Sequence, residues 1–223
     1  MTRIVDRAAF IRAETRLLPV PHAPEIRLHV AEEATALWQR TEEELGAIGL
    51  PPPFWAFAWA GGQALARYVL DHPEAVRSRT VLDVASGSGL VAIAAAMAGA
   101  SCVQAADIDA FAAEAIAVNA AANDVRVMPL LGDLVGTDEG WDVVLTGDIF
   151  YERDISERMW PWLVALEERG ATVLIGDPGR SYLPKDKVEQ IAQYRVQVTR
   201  ELEDAEIKLS RVWRIRHDAP PAV

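Results

Sequence analysis

The sequence predicts an α/β fold: a doubly wound, mostly parallel seven-stranded sheet with a C-terminal antiparallel hairpin and an N-terminal helical extension. Three observations predict it. From Thr80 onward, short apolar runs alternate with longer helical patterns, the signature of a βα repeat. The first run, Val81-Leu82-Asp83-Val84, ends in the small-residue turn Ala85-Ser86-Gly87-Ser88-Gly89 and enters the apolar helix Leu90 to Met97. The last two runs, Tyr194 to Glu201 and Ile207 to Arg216, succeed one another with only an acidic turn, Glu203-Asp204, between them.

In chain order, Asp6 to Leu17 has a helical pattern that Pro19, Pro21 and Pro24 should stop. Ile26, Leu28 and Val30 alternate with polar residues as a short strand does, and Glu33 to Leu45 reads as a helix ended by Gly46 and Gly49. Pro51, Pro52 and Pro53 stiffen the entry to the next segment, so an extended run should put Trp55, Phe57 and Trp59 on one face. That face can be core, or it can wall a cavity beside a cofactor. Gly61 and Gly62 would then allow close backbone approach before a helix from Gln63 to Leu70.

The repeat continues with strands at Cys102 to Ala106, Val125 to Leu130, Trp141 to Thr146 and Ala171 to Ile175. Helices at Ala110 to Ala122 and Ile155 to Glu168 and a short one near Lys185 to Ile191 complete the pattern. The single Cys102 excludes an internal disulfide and is expected to be buried and inert.

A chain of 223 residues, 51% apolar, can bury a full core. Its formal charge of -11, from 22 Lys and Arg against 33 Asp and Glu, argues against nucleic acid and favours a lysine-bearing or otherwise basic partner. His22, His29, His72 and His217 form no pair at ligand spacing, so no metal site is expected. No apolar run is long enough for a membrane span. Asp6 and Glu14 interrupt the arginine-bearing first helix, and a cytoplasmic location is expected.

The chemistry gathers at strand ends. Gly87-x-Gly89-x-x-Ala92 matches a dinucleotide turn, but Asp83, four residues earlier, would repel a pyrophosphate and attract a cation. S-adenosylmethionine carries an ammonium and a sulfonium and no phosphate, so the acid favours it over NAD. Asp107 lies roughly 20 residues after the turn, where a carboxylate accepts ribose hydroxyls. Either cofactor has that ribose. Asp109 reads as a helix N-cap. Asp133, after the third strand, could accept from an adenine amino group, and Gly147-Asp148-Ile149-Phe150-Tyr151 ends the fourth strand.

Methyltransferases that act on amino groups commonly carry Asn-Pro-Pro-aromatic at that last position. Here Asp148 replaces the asparagine and Phe150 the second proline, and a carboxylate suits a cationic amine. Together with Pro53 to Tyr68 and Val81 to Leu90, Asp148-Ile149-Phe150-Tyr151 makes the chain resemble the seven-strand lysine methyltransferases of methyltransferase family 16. The likeness covers about Pro53 to Arg216. It departs at Ala60, where the family often has proline.

The resemblance implies a Rossmann-like class I methyltransferase domain over residues 51–223, with residues 1–50 as an extension packed on it. It implies methyl transfer from S-adenosylmethionine to lysines of a protein, the electron transfer flavoprotein beta subunit being the expected one, by a monomer. Cofactor residues would be Trp59, Gly61, Asp83, Ala85, Gly87, Gly89, Asp107, Ile108, Asp133 and Asp148. Asp148, Phe150 and Tyr151 would serve catalysis, Asp148 by binding and aiming the amine. The alternatives are an NAD-dependent oxidoreductase, or methylation of another nitrogen nucleophile.

Overall fold

A computed structural model describes residues 6–31, 52–198 and 206–216. The expected helix Glu33 to Leu45 and the Glu203-Asp204 turn lie outside the described residues.

Helix α1 (Arg7–Glu14) is capped by Asp6, whose carboxylate accepts the Ala9 N–H, and it stops at Thr15. The prolines do not end it. Pro19 and Pro24 instead lie in β1 (Arg16–Val20) and β2 (Ala23–Val30), an antiparallel two-stranded ribbon. A ribbon of two edge strands has outward N–H positions where proline breaks no ladder bond. Ile26 and Leu28 are buried, as their alternation predicts.

The main sheet contains β3 (Thr80–Val84), β4 (Cys102–Asp107), β5 (Met128–Leu131), β6 (Val143–Gly147), β7 (Thr172–Asp177), β8 (Val188–Gln197) and β9 (Ile207–Ile215). Its order is β5-β4-β3-β6-β7-β9-β8, with β9 antiparallel to both neighbours and every other pairing parallel. The winding reverses between β3 and β6, the place in such sheets where ligands bind beyond the carboxyl ends.

Side chains alternate between two cores, as a period of two requires. Val143, Leu145 and Leu174 face α2 (Ala60–Asp71), α3 (Leu90–Met97) and α4 (Ala110–Ala122). Val144, Val173 and Ile175 face Met159, Leu163 and Leu166 of α5 (Arg153–Arg169). Helix α3 is buried continuously from Leu90 to Ala95, which explains its lack of a polar face.

Three expectations are corrected. Cys102 is exposed, because it opens β4 at the uncovered amino edge of the sheet. No helix forms near Lys185 to Ile191; β8 begins at Val188 and pairs with β9. Phe54–Ala56 is a turn of 3-10 helix rather than an extended run, and the aromatic residues around it still share one small core, Trp59 lying 6.1 Å from Phe57 at its edge. Trp55 and Phe57 join Ile11 and Phe111 in a small core, Trp55 stacking on Phe111 at 5.8 Å, while Trp59 stays half-buried.

No helix among the described residues is long and apolar enough to cross a membrane.

Candidate active site

Four adjacent strands, β4, β3, β6 and β7, each end in or next to an acid: Asp107, Asp83, Asp148 and Asp177. The parallel register brings these ends to one edge of the sheet. Glycine turns and helix N-termini begin there, so backbone N–H groups are at hand to answer the acids.

The β3–β4 end is closed on itself. Asp83 is only 1% exposed, and its Oδ2 accepts from the Ser86 hydroxyl and the Ala92 N–H, tying the glycine turn to the first turn of α3. Burial pushes its carboxyl up to about 7, against the pull of these two donors. Asp107 accepts the Gly87 N–H at 2.9 Å and the Asp109 N–H at 3.0 Å; burial raises its pKa too. Each of these oxygens keeps a second lone pair for a ligand hydroxyl. Asp109 caps α4 through the Phe111 N–H.

Ala85 has φ 53°, a conformation unusual without glycine, and lies exposed beside the turn. Gly87 and Gly89 take φ 54° and 82°, and a Cβ on Gly89 would press on Ile116. Ile108 is 74% exposed just beyond Asp107. Asp133 lies farther out, exposed, bonded to the Val135 N–H and paired with Arg158, which holds its carboxyl below the usual range.

The β6–β7 end is built differently. Asp148 also has φ above zero, at 58°, and is buried. Its Oδ2 accepts the Gly62 N–H at 3.0 Å, in the first turn of α2. Its Oδ1 accepts Arg180 Nη2 at 2.8 Å and Nε at 3.2 Å. The guanidinium also stands 5.9 Å from the Trp59 ring. Trp59 donates its indole N–H to the Phe54 carbonyl, and Phe54 lies 5.8 Å from Trp59 and 5.6 Å from Tyr151. Phe54 and Tyr151 are exposed, so the three rings make an open aromatic rim beside a buried carboxylate.

Phe150 takes no part in that rim. It is 0% exposed, packed on Trp160 in the α5 core, because the turn after β6 sends neighbouring side chains to opposite sides. Gly61 likewise meets protein rather than open space: a Cβ there would strike the Gly176 carbonyl and come within 2.6 Å of Asp148 Oδ2. Phe54, Asp177 and Arg180 belong to this edge without being singled out by the sequence, while Gly62, expected to allow close backbone approach, gives its N–H to Asp148. Gly176-Asp177-Pro178-Gly179-Arg180 does carry a signal, an acid and a turn at a strand's carboxyl end.

Donor chemistry tests which cofactor fits. Carboxylates at a glycine turn suit ribose hydroxyls and positive charge, and they oppose phosphate. Among the described residues no cluster of His, Cys, Asp and Glu could hold a metal ion.

Residues 63–150 match the family model of ribosomal protein L11 methyltransferase (PrmA). The chain is 37% identical to the electron transfer flavoprotein beta subunit lysine methyltransferase of Danio rerio over 218 residues, covering 95% of this chain and 81% of that protein. The Homo sapiens protein of that name is 36% identical over 197 residues, covering 85% and 74%. Among solved structures, the magnesium protoporphyrin IX methyltransferase of Synechocystis with bound S-adenosylmethionine superposes with a TM-score of 0.52 at 16% identity, over 70% of this chain and 78% of that one. At that identity the likeness is one of fold.

Proposed function

Because the chain belongs to the electron transfer flavoprotein beta subunit lysine methyltransferase family, and as such transfers methyl groups from S-adenosylmethionine to protein lysines, we propose that its substrate is the beta subunit of that flavoprotein. Identity of 36–37% with relatives named for this substrate, along most of both chains, supports the proposal. So does the charge of -11, which suits a lysine-bearing surface better than a phosphate backbone. We take the working unit to be a monomer acting in the cytoplasm.

Asp107, Gly87, Gly89, Ala85 and Ile108 would hold the cofactor, Asp107 at the ribose and Ile108 at the adenine. When bound, S-adenosylmethionine supplies an electrophilic methyl group on a sulfonium. Asp83, only 1% exposed, would hold the turn in shape from beneath through Ser86 and Ala92.

The single observation that carries the chemistry is the buried Asp148 carboxylate, joined through Arg180 to the Trp59 ring of the rim that Phe54, Trp59 and Tyr151 make. An aromatic rim guides a cationic side chain inward, at about 0.5–1 kcal/mol per ring when exposed. Asp148 then aims the amine. A lysine near pKa 10.4 is protonated at neutral pH and has no lone pair to offer, so the site must accept it charged and hold it neutral. Most of the rate then comes from alignment.

Incubating the protein with purified flavoprotein beta subunit and labelled S-adenosylmethionine, followed by mass spectrometry of the labelled peptide, tests the reading. Methyl groups on lysine are expected. Label confined to another protein would reject the substrate, and label on a nitrogen other than lysine would reject the Asp148 role.

A further inference from the structure

Arg180 is a firmly held cation at the heart of the site. Its guanidinium gives two hydrogen bonds to Asp148 Oδ1 and faces the Trp59 ring. Its backbone is fixed as well: Asp177 Oδ1 accepts the N–H groups of Gly179 at 2.5 Å and Arg180 at 2.7 Å. Asp177 is fully buried, and its Oδ2 has no hydrogen-bond partner among the described residues. A buried acid with an unanswered oxygen costs stability, and what it obtains here is the placement of one arginine.

We propose that Arg180 is a positioning residue for lysine methylation: it fixes the Asp148 carboxylate and cancels its charge, so that the incoming lysine ammonium gives up its proton at the site. The inference rests on the lysine-methylating reading and deepens it. An unpaired Asp148 would hold the ammonium as an ion pair, raise the amine's pKa and keep its lone pair occupied by a proton. With Arg180 bound to Oδ1, the lysine meets a carboxylate whose charge a guanidinium already answers. The guanidinium, always protonated, cannot take the lysine's place as a methyl acceptor in its neutral form. The proton would leave to water before the neutral amine nitrogen bonds to the methyl carbon, the carbon–sulfur bond breaking and its electron pair leaving with the sulfur as a neutral thioether.

Charged groups reach this point from each element packed around it. Asp148 lies at the end of β6, Asp177 and Arg180 at the end of β7, and the N-terminus of α2 contributes its partial positive charge through Gly62. The Tyr151 phenol stands at the rim. Burial raises its pKa first, Glu152 and Asp107 add to that, and Arg180 opposes it, which places the guanidinium's field at the rim. Arg180 and the α2 terminus both disfavour an ammonium, while Asp148 and an ionised Asp177 favour one. Removing Arg180 therefore tips the balance towards the protonated, unreactive amine.

The test compares Arg180→Gln, which keeps hydrogen-bonding capacity and loses the charge, with Arg180→Lys, which keeps the charge and loses the fork. Methylation of the purified flavoprotein beta subunit is followed against pH, with S-adenosylmethionine affinity and melting temperature measured on the same samples. In Arg180→Gln the acid limb of the kcat profile is expected to move up by about one pH unit, so that kcat near neutral pH falls about tenfold and recovers at alkaline pH. KM for the protein substrate should not rise. Arg180→Lys should keep the wild-type acid limb at a reduced kcat. An equal fall at every pH in Arg180→Gln, with the limb unmoved, overturns the proposal and leaves the lysine reading standing. A limb that moves equally in Arg180→Lys overturns it too. A wild-type protein that methylates no lysine removes both together.

Discussion

The two halves of the sheet's carboxyl edge differ in one partner of their acids, a side-chain cation. At β3 and β4, Asp83 and Asp107 are answered by backbone N–H groups and a hydroxyl from the turns beside them. At β6 and β7, Asp177 is likewise answered by backbone N–H groups of its own turn, but Asp148 adds to the Gly62 N–H a side-chain cation that arrives from 32 residues farther along the chain. Short-range backbone partners make the first half a fixed cradle. A guanidinium is a partner that another cation can compete with or complement, so the second half is tuned to the charge of what enters. The fixed half suits a constant cofactor and the tuned half a changing substrate.

The sharpest way to break this division is at the seam between α2 and the strand ends. Gly61→Ala would drive a methyl into the Gly176 carbonyl, and backbone gives way less readily than a side chain. A loss of about 3 kcal/mol in unfolding free energy is expected, read by chemical denaturation. Both halves should fail together.

Next in size is Asp177. Burial pushes its carboxyl up to about 6, so the folded protein holds that proton more tightly than the unfolded chain does. The stability this lends is complete below about pH 4 and is lost as pH rises through about 6. Asp177→Asn keeps an acceptor for Gly179 and Arg180 and cannot ionise. Relative to wild type it should therefore gain up to about 3 kcal/mol between about pH 4 and 7, measured by unfolding at each pH. A constant difference across that range would mean that Asp177 does not titrate there.

The halves should also separate functionally. Asp107→Ala is expected to weaken S-adenosylmethionine binding by about 1.5–3 kcal/mol in calorimetry, with the protein still folded. Asp148→Asn should leave that affinity nearly unchanged while methylation falls at least about tenfold, some 1.4 kcal/mol in the transition state. Equal loss of cofactor binding in both variants would erase the division. The smallest expected effect is optical. Trp59→Phe should remove most of the tryptophan fluorescence response to ligand and Trp55→Phe little of it, because Trp55 is core and Trp59 lies under Arg180.

How much of the molecule is legible in its sequence depends on the range of the forces involved. The strands from β3 to β7 can be read because side chains alternate between two apolar cores. The strand-end acids can be read because such ends carry ligands in this architecture. The start of β8 reads as a helix for a local reason: its register shifts between Gln190 and Ala192, so Val188 and Ile191 fall three apart, a helical interval. The aromatic run reads as one extended face, yet a 3-10 turn interrupts it at Phe54–Ala56, and Trp55 is buried while Trp59 stays half-buried at the edge of the same core. Phe150 stands at the motif's second proline and serves the core, and the rim falls to Tyr151, at the motif's aromatic position. The Arg180–Asp148 pair depends on the β6–β7 pairing and on the turn held by Asp177, and no short window of sequence contains both partners.

The contact between Gly61 and Gly176 constrains how the protein can change over generations. Each glycine's missing side chain is space that the other's carbonyl already fills, and a Cβ on Gly176 would also meet Leu65. A large residue in a core can usually be accommodated by shrinking its neighbour. Here the neighbour is already the smallest residue there is, so neither position has a compensating partner. Selection for suppressors of Gly61→Ala should therefore return reversions, or general stabilisers elsewhere in the chain, and no change at residue 176.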